Sequence, residues 1–315
     1  MRYQVKPRSH VVAAGYLRAW AHDGEIAMRL VGCERSVTTS VRNVGVRSNF
    51  YRRERPKTGE TIYDAEWSIE QMETAALPLI SSLASRWPLS FDDKACVAQF
   101  FGLQYVRGPA FKEWRERDIQ PTIDAVRSDP VGRTIPIDTD TVRIVKMIGA
   151  ARTVAVAFGS MHWTLVRFAN PRLVTSDEPV TVWPLSRERA RPCPNDLNSD
   201  VTDTLEVFVP IAPQLLLLMT WVGHPDKPGV VTGANRHIAT ANAFVVANAD
   251  AQWFHEPGVE PWLAAGPRDP LSTQLIPGYD VEAATGSKRR RDAMPLVIAQ
   301  DKAPVNNEPL SMLSM

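Results

Sequence analysis

Cysteine is scarce in this chain: Cys33, Cys96 and Cys193 are three in 315 residues, odd in number, far apart and without a Cys-x-x-Cys spacing. That excludes a disulfide framework and reads as reduced thiols in a cytoplasmic protein. The six histidines form no His-x-x-x-His pair or other ligand spacing, so no metal site is expected. A Gly-x-Gly-x-x-Gly fingerprint, a phosphate loop ending in Gly-Lys-Ser/Thr and a Gly-x-Ser-x-Gly elbow are all missing, which leaves the cofactor unknown and removes the common serine hydrolase arrangement. Long apolar runs are missing too. Leu215 to Val222 is the most apolar stretch and is too short to cross a bilayer, while Val11 to Ala21 is broken by Arg18, so neither a membrane span nor a signal peptide is read here. Net charge is almost nil, with 36 basic against 35 acidic residues, so no whole-protein field recruits nucleic acid or an anionic membrane. Basic residues such as Arg8, Arg18, Arg29, Arg42, Arg47 and Arg52 do outnumber acidic ones in the opening segment. That segment keeps nucleic acid open as a partner, against a solvated strand surface balanced by later acidic groups.

What is present is ordinary globular material, 44% hydrophobic and 23% charged. Glu25 to Gly32 and Ser36 to Val41 predict a hairpin. Trp67, Ile69, Met72, Ala76, Leu79, Ile80 and Leu83 repeat at helical spacing across Asp64 to Trp87, with an adjustment at Pro78. Ser90 predicts the cap of a second helix running to Arg107, where Gly108-Pro109 ends it. Phe111 to Ile123 reads as helical, and Val142 to Phe158 predicts a third major helix. Beyond Gly159 come short β-prone runs: Trp163 to Val166, Leu173 to Thr175, Val180 to Val182, Leu205 to Val209 and Leu215 to Trp221. A helix over Ala234 to Val246 and a last strand over Ala251 to Phe254 follow. The fold class expected is α+β, a helical layer packed against a mainly antiparallel sheet, with a small N-terminal β unit. One domain over residues 1–283 would comprise the β unit (1–60), a helical part (61–160), a β-rich part (161–255) and an irregular segment (256–283). The Gly, Ser and Lys288-Arg289-Arg290-Arg291 composition of 284–315 reads as a mobile tail.

The run Phe100-Phe101-Gly102-Leu103-Gln104-Tyr105-Val106-Arg107-Gly108-Pro109 sets Gln104 and Arg107 three residues apart on an apolar helix. A guanidinium does not deprotonate in a protein, so if this face packs inward Arg107 requires a carboxylate, a carbonyl or an anionic ligand.

Several spaced motifs then share an order. Ser9 to Trp20 carries a His followed by Tyr16-Leu17-Arg18 and an aromatic; Asn49-Phe50-Tyr51 closes the first β unit; Ile69 to Glu73 with Leu77 to Ile80 forms a glutamate-bearing helix. Phe100 to Pro109 contains Gln-x-x-Arg-x-Pro, Val174 to Val180 contains Thr-Ser-Asp-x-Pro, Pro210 to Pro213 is a turn, and Asn235 is a late helical Asn. In this order they resemble the family known as domain of unknown function 4238, mostly microbial proteins, over approximately residues 5 to 255. Ala13 and Ile211-Ala212 depart from its pattern. The resemblance implies no activity, and similar unassigned proteins suggest a stress or phage-defence setting.

His10, Glu73, Gln104, Arg107, Ser176, Asp177 and Asn235 are the polar set these motifs carry. If they converge, His10 is acid or base, Asp177 or Glu73 orients it or activates water, and Gln104, Arg107, Ser176 and Asn235 hold an anionic small molecule or nucleic acid, as in a hydrolase or nuclease-like enzyme. The alternative is a non-enzymatic ligand-binding or interaction protein. There Arg107 pairs with Glu73 or Asp177, Ser176-Asp177 closes a turn before Pro179, and Asn235 bonds a loop backbone. An open pocket around His10, Asp177 and Arg107 would favour the enzyme; a sealed Arg107 pair would favour the scaffold.

Overall fold

In the computed structural model of the chain the described residues are 8–48, 53–54, 61–62, 64–108, 120–121, 123–130, 139–184, 204–221 and 230–263. Their elements in chain order are β1 (Arg8–His10), α1 (Ala14–Leu17), β2 (Glu25–Leu30), β3 (Ser36–Ser40), β4 (Val46–Ser48), β5 (Arg53–Glu54), β6 (Thr61–Ile62), α2 (Asp64–Ser81), α3 (Leu83–Arg86) and α4 (Phe91–Val106). There follow α5 (Thr139–Ser160), β7 (His162–Phe168), β8 (Thr175–Ser176), β9 (Thr181–Pro184), β10 (Thr204–Ala212), β11 (Leu215–Thr220), β12 (Val230–Gly233), α6 (Asn235–Asn248) and β13 (Gln252–His255).

The apolar run at β11 is central to a five-stranded sheet of order β12-β7-β11-β10-β9, and every one of its residues is buried. Strand periodicity turns Leu215, Leu217 and Met219 towards the larger core and Leu216 and Leu218 towards a second one. Both faces are therefore covered. Helices α2, α4 and α5 supply the first core, and Ile238, Ala241 and Phe244 of α6 supply the second, where Phe244 stacks on Phe208 with ring centroids 5.8 Å apart. Neighbours run antiparallel except β12, which pairs parallel with β7. The helical layer on a mainly antiparallel sheet is thus an α+β arrangement with a further helix behind the sheet.

Local chemistry sets the helix ends. The Ser90 hydroxyl accepts the Asp93 N–H at 3.1 Å, and Asp92 and Asp93 lie where the helix dipole favours negative charge. Gly102 lets α4 and α5 approach closely: a Cβ there would stand 2.6 Å from the Ala151 carbonyl oxygen. Pro78 does not end α2, which continues to Ser81; the Ser81 and Ser82 hydroxyls donate to the Pro78 carbonyl as the helix stops.

A four-stranded sheet, β3-β2-β13-β8, joins the expected hairpin of β2 and β3 to strands more than 130 residues later. The small β1–β4 pair is tied to it where the Gly45 N–H donates to Gln252 Oε1 of β13 at 3.3 Å. Tyr16 of α1 spans the two larger sheets, its hydroxyl 3.0 Å from Thr175 Oγ1 and donating to the Pro210 carbonyl. Trp20 donates its indole N–H to the Leu173 carbonyl at 2.9 Å. The Tyr and Trp of the opening motif therefore anchor the N-terminal segment, and burial pushes the Tyr16 phenol well above its usual range.

The sequence reading of Leu173 to Thr175 as a strand is reduced to Thr175–Ser176, because Leu173 and Val174 spend their backbone N–H groups on Pro213 and on Asn242. Strand β12 went unread. The helix expected at Phe111 to Ile123, the Asn49-Phe50-Tyr51 motif and the tail at 284–315 lie largely or wholly outside the described residues.

Candidate functional site

Arg107 follows the last residue of α4 and is 1% exposed. Its Nε donates to the Val11 carbonyl at 2.6 Å and its Nη1 to Glu73 Oε1 of α2 at 2.5 Å. The partner that burial demanded is thus Glu73, itself about one-fifth exposed. One guanidinium ties three pieces of chain: the segment after β1, helix α2 and helix α4. A buried pair of this kind is weak evidence for net stability, since desolvation offsets much of the attraction, but removing one partner strands the other charge.

One turn back on the same helix, Gln104 is also 1% exposed, and neither its Oε1 nor its Nε2 meets a hydrogen-bond partner among the described residues. Arg107 Nη2 is in the same condition. Three polar atoms within one helical turn therefore stand buried and unmet, where each costs roughly 1–3 kcal/mol unless something answers it.

The Thr-Ser-Asp turn reaches this helix end through a residue that the sequence reading passed over. The Glu178 carboxylate lies against Gly108, so closely that a Cβ there would stand 2.1 Å from Glu178 Oε2. Ser176 serves this turn locally, its hydroxyl donating to the Glu178 carbonyl at 2.9 Å and accepting the Glu178 N–H at 3.2 Å. Asp177, 2% exposed, accepts the backbone N–H groups of Asp250, Ala251 and Gln252 at 2.9, 2.9 and 3.1 Å. Burial pushes its carboxyl up to about 6, against the pull of these N–H donors and with a push from Asp250. Its oxygens are engaged in holding the loop between α6 and β13.

His10 ends β1, paired in register with Val46 and half-buried, one residue before the carbonyl that Arg107 uses. Arg107 thus meets Glu73, with Gln104 one turn back on its own helix; His10 is next in the chain to Val11, whose carbonyl Arg107 uses, and Asp177 is next to Glu178, whose carboxylate lies at Gly108. Asn235 stands apart. It opens α6, whose apolar residues pack in the second core, and is exposed, its Oδ1 accepting from Asn170 at 2.9 Å. The buried Asn of that helix is Asn242, which accepts the Val174 N–H at 2.9 Å and donates to the Arg172 and Trp262 carbonyls at 2.7 and 2.8 Å. The apolar register of the helix, with Ile238, Ala241 and Val245 around it, was the signal that could have pointed to Asn242. Among the described residues no group of three His, Cys, Asp or Glu side chains is placed to hold a metal, and no helix is long and apolar enough to cross a membrane.

Residues 8–258 match the model of the family described as "Protein of unknown function (DUF4238)". No curated protein and no solved structure matches the chain.

Proposed function

The chain belongs to the DUF4238 family, and from that premise we propose that its motif-borne polar set is an interior tie in a ligand-binding or interaction protein rather than a hydrolytic or nuclease centre. One observation carries the reading: Arg107 is sealed, with Glu73 compensating its charge and the Val11 carbonyl taking its Nε. With its charge compensated by Glu73, this guanidinium attracts a phosphate only weakly, and the Glu178 carboxylate over Gly108 adds negative charge on that side. An anionic substrate or nucleic acid is therefore a poor fit to this set. Asp177 supports the same reading, since a carboxylate holding three backbone N–H groups is not available to orient His10 or activate water.

A second reading draws on Gln104. Its amide offers one acceptor and two donors inside the protein, and Arg107 Nη2 offers a further donor. A small neutral molecule with a carbonyl or hydroxyl would satisfy them.

The deciding experiment is the melting temperature of wild type, His10→Ala and Arg107→Ala, each with and without divalent metals, nucleotides and small amides or polyols. The tie predicts that Arg107→Ala melts far below wild type, His10→Ala stays close to it, and metals and nucleotides shift nothing. A nucleotide or metal shift in wild type that a folded His10→Ala variant loses would reinstate the hydrolytic reading.

A further inference from the structure

A second polar cluster lies on the four-stranded sheet, outside the family motifs and independent of the reading above. Ser36 on β3, Arg29 on β2 and Trp253 on β13 are register partners across three adjacent strands, and His255 lies two residues along β13 on the same face. Ser36 Oγ stands 2.7 Å from His255 Nε2, and His255 Nδ1 stands 3.0 Å from the Glu256 carbonyl oxygen. A carbonyl can only accept, so the ring proton belongs on Nδ1 and the Nε2 lone pair faces the serine hydroxyl. The hydroxyl therefore donates to the imidazole, and its oxygen accepts from Arg29 Nε at 3.0 Å. Arg29 is itself fixed, its Nη2 3.2 Å from Glu260 and its guanidinium 4.7 Å from the centre of the Trp253 ring. The base is buried at 5% exposure while the serine is open to solvent.

We propose that Ser36 is a nucleophile with His255 as its general base, and that the pair accepts acyl groups from small carboxylic esters. The Ser36 oxygen attacks the ester carbonyl carbon as its proton passes to His255 Nε2; the bond to the alcohol oxygen breaks, and that oxygen leaves with the proton from Nε2. Water then gives its proton to Nε2, attacks the acyl-serine carbonyl, and Ser36 departs taking the proton back. Ester and water become acid and alcohol. The Arg29 guanidinium, shared with Glu260, stands 3.0 Å from the Ser36 oxygen and so places a cation beside the reacting centre. Burial first, with Arg29 beside it, moves the imidazole below its usual range against the pull of the Glu256 carbonyl and of Glu260, a direction that favours the neutral base.

The test is reaction of the whole chain with a fluorophosphonate, which transfers phosphorus to a serine oxygen and releases fluoride, followed by peptide mass mapping. Wild type should carry the adduct on Ser36, formed about a hundredfold faster than in urea-unfolded protein or in His255→Gln, the scale of one general base. The adduct should vanish in Ser36→Ala, whose short exposed strand residue leaves the fold intact. His255→Gln is read only alongside its circular dichroism spectrum; the comparison of native with unfolded wild type stands without it. No adduct on Ser36, or equal rates in native and unfolded wild type, overturns the proposal. Because neither residue belongs to the interior tie, failure here leaves the Arg107 melts unaffected, and the reverse.

Discussion

Asp177 Oδ2 accepts the backbone N–H of Ala251 at 2.9 Å, and with the N–H groups of Asp250 and Gln252 this fastens the turn after β8 to the start of β13. Burial raises the carboxyl to about 6 from an ordinary 3.8, so between about pH 4 and pH 6 the folded protein holds a proton that the unfolded chain has released. The stability this supplies is complete below the unfolded value and declines as pH rises through the folded one, by up to roughly 3 kcal/mol over two units. Urea melts of wild type across this window should show the decline, and Asp177→Asn should flatten it. The variant should also be less stable at every pH, because an amide presents a donor to backbone donors. A slope that survives Asp177→Asn would assign the titration elsewhere.

How much of this was legible depended on whether a residue's demand could be met locally. Ser90 was readable as a cap because its partner, the Asp93 N–H, is three residues away. That Arg107 needs a partner was readable from its apolar helix, since its charge cannot be removed; that the partner is Glu73, rather than the equally available Asp177, was not. The choice depends on how α2 packs on α4, and helical periodicity leaves that rotation open. Asp177 likewise looked like chemistry beside a Pro turn, whereas its three partners lie more than 70 residues on. The contact of Ser36 with His255 spans 219 residues and carries no motif. Strand β12 pairs parallel with β7 along an edge, a register that composition does not encode.

The pair of Arg107 and Glu73 can be weighed by a double-mutant cycle. Arg107→Met alone should lose about 3–5 kcal/mol, because it leaves the mostly buried Glu73 carboxylate without its cation and the Val11 carbonyl without its donor. Glu73→Leu should lose a comparable amount by stranding the guanidinium. The double variant should recover a large part of the sum, since the desolvation of both charges is relieved together. Denaturant midpoints for the four proteins measure the coupling, and strict additivity would mean that the two side chains do not act as a pair.

Gln104 gives the opposite sign from an ordinary core truncation. Gln104→Met keeps nearly the same volume and removes two unmet polar atoms from the interior. If nothing answers the amide, the melting temperature should hold or rise, by the equivalent of about 1–3 kcal/mol. Should it fall instead, the amide has a partner in solution. An amide or polyol that stabilises wild type but not Gln104→Met would then identify the kind of molecule that sits there.

Gly102 reports on the seam between α4 and α5. A Cβ at this position would meet the Ala151 carbonyl oxygen at 2.6 Å, the Ala155 nitrogen at 2.9 Å and the Ala155 Cβ at 3.1 Å. Two of these are backbone atoms of a long helix, which cannot swing aside as the end of a flexible side chain would. Alanine is a better helix former than glycine by about 1 kcal/mol, so an isolated helix would gain from the change. Overpacking of a close helix contact costs about 1–3 kcal/mol, and with two backbone clashes the larger figure should win. Gly102→Ala is therefore expected to lower the melting temperature, and Ala155→Gly, which removes only the Cβ contact, should restore little of it. Gly149 lies on α5 with open space where its Cβ would be, so Gly149→Ala serves as the control and should stabilise. If both alanine variants stabilise alike, α4 and α5 do not meet at Gly102.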